Sequence, residues 1–430
     1  MTSRPGVLVI GAGAAGLTAA RELSAAGLKT VVLEARDRVG GRIFTDHSLG
    51  FPVELGAEFV HGRSRDMFEL IKAKRLEIAE VAGEMRRKRN GVWGDSGSVM
   101  AEVNHLFENM PHDGPDQSFQ QYIDASRYSP ETKQLALGFV EGFHAANPER
   151  VSVHWLVKTT SAEEEIDGET SFRVKNGYNR LLNGISEEID QRRCDLRLNT
   201  IVNEIQWRPG PVTVKTPGAT FQAPRAIVTL PLGVLQSGAV HFSPPLAPEK
   251  QRAFASLEMG RVIRVSLCFR DQFWEALPEM RNLSFLFTDD PQFPTWWSPN
   301  PLPYPILTGW AAGRYARVLA GKNPDELIRC AMESLGRILE IDKVALGSHL
   351  QRGFVHDWQA DPFSRGAYSY VLRGGLNAPL GLETPLEETV FFAGEAASVD
   401  GHNGTVHGAI GSGKKAAAEI LRAAGVRPMQ

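Results

Sequence analysis

At 430 residues the chain is roughly two to three times the length of a common domain, so more than one packing unit is expected. Hydrophobic residues make up 42% and charged residues 23%, which excludes wholesale disorder, collagen-like repeats and a coiled coil. Lys plus Arg total 47 against 50 Asp plus Glu, leaving no broad basic field for a nucleic acid, and the dispersed Cys194, Cys268 and Cys330 compose neither a disulfide framework nor a metal site.

The opening residues lack signal-peptide order, and the longest apolar candidate, Val7 to Ala20, contains three glycines and stops at Arg21. Neither a leader nor a membrane span is expected, and the reading is a cytoplasmic protein. Val7 to Ile10 reads as a strand, Gly11-Ala12-Gly13-Ala14-Ala15-Gly16 as a turn, and the alanine-rich stretch to Ala26 as a helix ending at Gly27. Gly11 permits the tight turn, Gly13 lets a pyrophosphate approach the backbone beside Ala14, and Gly16 lets the helix press on the strand. A second strand, Lys29 to Leu33, ends in Glu34, at the distance where an acid takes the ribose hydroxyls of an adenosine. Its charge repels a 2′-phosphate, which disfavours NADP. Ala35-Arg36-Asp37-Arg38-Val39-Gly40-Gly41-Arg42 then supplies a second glycine turn and up to three guanidinium groups beside the same diphosphate.

This extended fingerprint resembles the FAD-binding start of the flavin-dependent amine oxidases, the superfamily of monoamine oxidases, polyamine oxidases and lysine-specific histone demethylases. Glu54 to Gly62, with Gly56, Ala57, Glu58 and His61, resembles the polyamine oxidase branch. Between about residues 70 and 195 the pattern reads as largely helical, with Val99, Val103, Leu106, Phe107 and Met110 on one apolar face and a helix start at Ser129-Pro130-Glu131. Ile201 to Ile205 and Ala226 to Pro231 read as strands similar to cofactor-contacting segments of the family, which nominates Val202 and Thr229. From Val262 the period becomes two, a half-buried strand with Ile263, Val265, Leu267 and Phe269 on one face. Pro291 to Pro305 reads as a packed surface loop whose Trp296 and Trp297 are candidates to border a substrate channel. Asn323-Pro324-Asp325-Glu326 opens a late helix.

The stretch Trp358 to Tyr370 resembles the family segment that brings an aromatic ring beside the flavin, with Tyr368 at that position and Trp358 among the cofactor contacts. Val390 to Ala393 reads as a buried strand, followed by Gly394-Glu395 and a helix opened by Gly404-Thr405-Val406-His407-Gly408-Ala409. The resemblance implies that this helix points its N-terminus at the flavin, where its dipole favours negative charge. It also places Glu395 at the ribityl and diphosphate region. The sequence departs from animal monoamine oxidases twice: Thr405 stands where a second aromatic residue closes the cage, and Ala367 where a cysteine attaches FAD. Noncovalent FAD and an open cage follow. On the strand Leu257 to Phe269, Arg264 stands where the family has a lysine, and a guanidinium stays charged where a buried lysine can lose its proton. Arg264 reads either as a fixed cation at the flavin or as the partner of a structural carboxylate.

The fold expected is α/β: a discontinuous Rossmann-like FAD-binding domain (1–70, 197–245 and 385–430) with an inserted α+β substrate-binding domain (71–196 and 246–384). The expected activity is oxidation of a primary or secondary amine by hydride transfer to FAD, with oxygen as acceptor and hydrogen peroxide and an aldehyde as products. Tyr368, Arg264, His61 and Thr405 are the candidate catalytic residues. His61 reads as a proton acceptor, an orienter of a distal ammonium, or a structural histidine. The run Glu163-Glu164-Glu165, with Asp167 and Glu169, reads as a solvated loop or a lure for cationic amines. Alternatives are an L-amino acid oxidase, needing an arginine fork from Arg173, Arg314 or Arg365, a flavin amine dehydrogenase that avoids oxygen, and a noncatalytic FAD-stabilised interaction module. Nothing selects a particular amine or an oligomeric state.

Overall fold

The computed structural model describes residues 6–94, 97–208 and 210–426; the side chains of 97–100 lie outside the description, and with them the expected core position of Val99. It is a mixed α/β structure with parallel and antiparallel sheets. A five-stranded parallel sheet has the order Cys194–Arg197, Thr30–Leu33, Val7–Ile10, Arg225–Val228, Val390–Phe392. Its three central strands read VLVI, TVVL and RAIV, and nearly every side chain in them is buried, as a parallel sheet covered on both faces requires. Strands far apart in the chain are thus adjacent in space: Ile10 sits level with Val228, and Val228 with Phe392.

On one face the first helix, Ala14–Ala25, packs against the last, Val406–Ala423. The approach is close enough that a Cβ on Gly413 would lie 2.3 Å from the carbonyl oxygen of Ala15. Small residues at this crossing, including Ala416 and Ala417, let the two backbones touch. The last helix starts at an N-cap, Thr405, whose hydroxyl accepts from the Gly408 amide.

A seven-stranded sheet forms the other large unit, in the order Leu350–Val355, Val262–Phe269, Ile306–Ala312, Thr295–Trp297, Leu283–Thr288, Glu84–Arg89, Val92–Gly94. Two expectations change here. The strand Val262–Phe269 is buried along its whole length rather than on one side. Ile263, Val265, Leu267 and Phe269 face a core with Trp274, while Cys268 packs beside Val53, Leu55 and Phe354 on the other face. Nor are residues 70–195 uniformly helical: Ile78–Glu80, Glu84–Arg89, Val92–Gly94 and Ser171–Val174 are strands. Glu84–Arg89, with the sequence EMRRKR, has no apolar period of its own and is held by parallel pairing with Leu283–Thr288, some two hundred residues away. The helices Pro130–Gly142 and Pro324–Leu339 begin where their caps predict, with Ser129 accepting from Thr132 and Asn323 completing a capping box with Glu326. The segment before Glu204–Gln206 is not a strand, although Val202 is buried in it. Among the described residues, no helix is long and apolar enough to cross a membrane.

Candidate active site

A cavity of about 1570 Å³ begins at the carboxyl ends of the parallel sheet and continues to the face of the seven-stranded sheet. That exceeds the roughly 300–1,000 Å³ of a pocket for a drug-sized ligand and leaves room for a dinucleotide beside a second molecule. The sheet end is shaped by the first glycine turn. Gly11 holds φ +105°, and a Cβ on it would lie 2.6 Å from the Thr229 hydroxyl. A Cβ on Gly16 would lie 2.0 Å from the Gly11 carbonyl oxygen, so only glycine lets the helix seat on the strand there. Gly13 borders the cavity with nothing within 4 Å of a built Cβ, a bare patch of backbone open to a ligand. Glu34 is buried and braces the turn from the second strand, accepting from the Ala12 amide at 2.7 Å and the Arg36 amide at 2.9 Å.

Ala14, Ala35, Gly40, Gly41, Gly56, Ala57, Val202, Trp358, Gly394, Val406 and Ala409 line the same cavity; Gly16 does not, because it faces Gly11 instead. The three guanidinium groups expected beside a diphosphate are all engaged by protein. Arg36 forks onto Asp361 at 2.7 and 2.9 Å and reaches Ser364, Arg38 donates to the carbonyls of Val39, Gly41 and Ile43, and Arg42 donates to Glu395 and to the carbonyl of Ala367. Of these, Arg36 and Arg42 line the cavity.

Glu395 joins three segments. Its buried carboxylate accepts from Arg42 at 2.8 Å, from the Ser369 hydroxyl at 2.6 Å and from the Gly404 amide at 3.0 Å. It therefore fixes the residue after Tyr368 against the turn that opens the last helix. A Cβ on Gly404 would lie 3.2 Å from Cδ2 of Tyr368, so the ring rests on bare backbone. The Tyr368 hydroxyl donates to the carbonyl of Phe143 at 2.6 Å, and burial pushes its phenol well above the ordinary tyrosine range. It is a neutral wall. Thr405 lines the cavity too, but its hydroxyl is spent on the cap and on the carbonyl of His402.

Arg264 forms a buried ion pair. Its Nη2 donates to Glu58 at 2.6 Å and its Nη1 to the carbonyl of Gly56 at 2.9 Å. Glu58 also accepts from Arg173 at 2.7 Å and from the Trp297 indole. Burial pushes this carboxyl up, yet the two guanidinium groups overcome that and hold it below the ordinary carboxylate range. Two cations against one anion leave this wall net positive. Arg173 was legible only as a possible fork for a carboxylate; here it is saturated by Glu58 and the carbonyls of Ser298 and Asn300. Arg314 is paired with Glu141, and Arg365 lines the cavity near its sheet end.

Between these groups the walls are aromatic. Phe59, Phe143, Phe285, Trp297 and Trp310 join Tyr368 there, with Phe59 5.8 Å from Trp297 and Trp297 5.6 Å from Trp310 between ring centroids. The Trp310 N–H donates to the carbonyl of Gly142, so the polar handles of these rings are tied to protein and their hydrocarbon faces are left to the cavity. Trp297 borders the cavity from the strand Thr295–Trp297, while Trp296 is buried in the core behind it. His61 packs edge-on to Phe143 and pairs through Nδ1 with the Ser171 hydroxyl at 3.1 Å. Burial lowers it to about 4, so it is neutral at neutral pH. The acidic run is split: Glu163, Glu164, Asp167 and Glu169 line the cavity, and Glu165 does not. Among the described residues no group of three or more His, Cys, Asp or Glu is placed to hold a metal ion.

A glycine cradle on a parallel sheet, opening into a chamber walled by aromatic rings, defines the class: an oxidoreductase that binds a dinucleotide beside its substrate. The family described as flavin containing amine oxidoreductase matches residues 14–120 and 104–421. Polyamine oxidase 4 of Oryza sativa subsp. japonica is 30% identical over 468 aligned residues, covering 98% of this chain and 89% of the rice protein. Among solved structures, a double mutant of putrescine oxidase superposes with a TM-score of 0.83 at 23% identity over 97% of this chain and 99% of that one. Cyclohexylamine oxidase from Brevibacterium oxydans IH-35A gives 0.82 at 20% over 98% and 100%. The chain belongs to the flavin-containing amine oxidoreductases, and its cofactor is FAD.

Proposed function

We propose that the protein is an amine oxidase in which the glycine cradle would hold FAD noncovalently and Tyr368 would serve as the aromatic wall at the reacting end of the cavity. Bound FAD would supply the hydride acceptor for the amine α-carbon and the route of two electrons to oxygen, giving hydrogen peroxide, while the imine left by hydride loss takes up water and splits to an aldehyde and an amine or ammonia. The first 70 residues, 197–245 and 385–430 form the discontinuous Rossmann-like FAD-binding domain in this reading; strands from distant stretches of chain share one parallel sheet, although its edge strand Cys194–Arg197 crosses the boundary at 197. Gly11, Gly13 and Glu34 hold the adenosine and diphosphate, and Gly404, Thr405 and Val406 present the helix N-terminus to the flavin. Ala367 beside Tyr368 offers no thiol for a covalent link.

The chain's own contribution is position and charge. Tyr368 and the neighbouring rings would exclude water and hold the amine in place for the reaction. The amine reacts only after losing its proton, and two features favour that loss: the low-dielectric walls, and the net positive Arg264, Glu58 and Arg173 group, which disfavours an ammonium beside it. Arg264 thereby acts as a paired, permanent cation. His61, neutral and hydrogen-bonded to Ser171, adds no positive charge to the chamber. The observation that carries this reading is the juxtaposition, through Glu395, of Tyr368, Arg42 and the start of the last helix around one cavity.

The test is anaerobic mixing of the yellow holoprotein with monoamines, diamines, polyamines and L-amino acids. Bleaching by an amine, followed by peroxide formation on admitting air, is the expected result. A flavin that no amine bleaches refutes the reading, and reduction without re-oxidation by air makes the protein a dehydrogenase.

A further inference from the structure

Of the imidazoles on the cavity wall, His61 is tied through Nδ1 to the Ser171 hydroxyl, and His407 packs against His402 with its Nε2 sealed in protein. His144 is held differently. It is 8% exposed, lines the cavity, and has no hydrogen bond or ion pair among the described residues. Instead Phe143, Trp155 and Phe139 stand edge-on to it, at 5.1, 5.3 and 5.8 Å between ring centroids. Burial alone lowers it to about 4, so the imidazole is neutral: one ring nitrogen carries a proton and the other a lone pair that no protein donor uses among the described residues. The backbone around it is pinned residue by residue. The carbonyl of Gly142 accepts from the Trp310 indole, and that of Phe143 from the Tyr368 hydroxyl. Ala145 is held at φ +50°, a left-handed conformation that alanine rarely takes, and packs with Val262, Ala312 and Tyr368; a Cβ on Gly260 would lie 2.7 Å from the Ala145 Cβ. On the other side Trp155 donates to Asn403, the residue before the Gly404 backbone on which the Tyr368 ring rests. His144 is thus set between the Tyr368 hydroxyl and the turn that opens the last helix.

Resting on the amine oxidase reading above, we propose that His144 is a further catalytic residue: the free lone pair of its imidazole accepts a hydrogen bond from the N–H of the neutral reacting amine, so that primary and secondary amines are favoured and tertiary amines are not. As the α C–H bond breaks and the hydride leaves with its electron pair for the flavin, the nitrogen lone pair forms the C=N bond and the nitrogen becomes positive. Its N–H is then a stronger donor than in the amine, so the bond to His144 tightens in the transition state and lowers the barrier. The proton stays on nitrogen through this step, and the neutral imidazole sets no charge against the nascent cation. Guanidinium groups accept nothing, and Glu58 and Glu395 are occupied by their own donors, so the acceptor comes from His144. A tertiary amine has no N–H to offer and leaves the buried lone pair without a partner.

The experiment is anaerobic stopped-flow reduction of the holoprotein by the amine that bleaches it fastest and by the same amine methylated at nitrogen until no N–H remains, giving a saturating rate and a half-saturating concentration for each. The wild type reduces faster with the amine that keeps its N–H. His144→Phe leaves a ring in the cage and removes the acceptor. It lowers the saturating rate with the N–H amine at least about tenfold, keeps the half-saturating concentration within about threefold, and leaves the rate with the fully methylated amine unchanged. His144→Gln, which returns an acceptor oxygen, recovers part of the loss. FAD content and melting temperature establish that each variant is folded. A wild type as fast with the fully methylated amine, an equal proportional loss with both amines, a loss confined to the half-saturating concentration, or no recovery in His144→Gln overturns the assignment while leaving amine oxidation standing. A flavin bleached by no amine at all overturns both.

Discussion

Replacing Glu395 by alanine removes the acceptor that joins three distant segments, and its cost is readable from the hydrogen bonds. The carboxylate is 6% exposed and takes Arg42, the Ser369 hydroxyl and the Gly404 amide at 2.8, 2.6 and 3.0 Å. Breaking a buried pair by removing one partner costs about 3–5 kcal/mol, because the other charge stays buried. Arg42 keeps one compensating bond, to the carbonyl of Ala367, and its side chain is 22% exposed, which places the estimate at the lower end, about 3 kcal/mol. For a chain of this length the entropy of unfolding is roughly 0.9 kcal/mol per degree, so a shift in melting temperature of about 3 °C follows. Glu395→Gln keeps one acceptor oxygen and loses less. Because the same carboxylate positions the turn before the last helix, the alanine variant also loses FAD on dilution. Thermal denaturation followed by flavin fluorescence, with a double-mutant cycle against Arg42→Met, measures both effects. An alanine variant that melts with the wild type and retains its flavin, or a cycle with no coupling, refutes the argument.

Tyr368→Phe, which loses only the bond to the carbonyl of Phe143, reduces flavin within a few-fold of the wild type, whereas Tyr368→Ala slows it by about 100-fold through lost positioning. Equal rates for the two variants in stopped-flow reduction remove Tyr368 from the site. Gly16→Ala places a methyl 2.0 Å from the Gly11 carbonyl oxygen and yields protein without bound FAD, as read from its absorbance. A yellow variant with unchanged affinity shows that the turn does not bear on the cofactor. His144 is buried among Phe139, Phe143 and Trp155 and is lowered by that burial from 6.5 to about 4. The unfolded chain therefore binds a proton below pH 6.5 that the fold refuses, and stability falls as pH drops from 6.5 towards 4, by about 1.4 kcal/mol per unit. Denaturant titrations of His144→Phe between pH 7 and 5 show a shallower loss than the wild type; parallel curves contradict the assignment.

The two ends of the chain carried most of what was legible. The turn from Gly11 to Gly16, Glu34 at the end of its strand, and the helix start at Gly404-Thr405 are local devices, and local sterics and hydrogen bonding dictate them wherever they occur. The caps Ser129 and Asn323 were legible for the same reason. Pairing across the fold was not. The strand Glu84–Arg89 exists because Leu283–Thr288 lies beside it, and the full burial of Val262–Phe269 because Val53 and Leu55 cover its second face. A partner for Arg264 was one of two readings until Glu58 appeared 2.6 Å away, held in turn by Arg173 from the strand Ser171–Val174.

What the sequence determined by itself was the first glycine turn and the family, since both reside in short runs whose spacing is set by one strand, one turn and one helix. What the tertiary structure alone decided was charge. A guanidinium or carboxylate reads identically along a sequence whether paired or bare, and only the folding together of remote segments set Arg264 and Arg173 against the single carboxylate of Glu58.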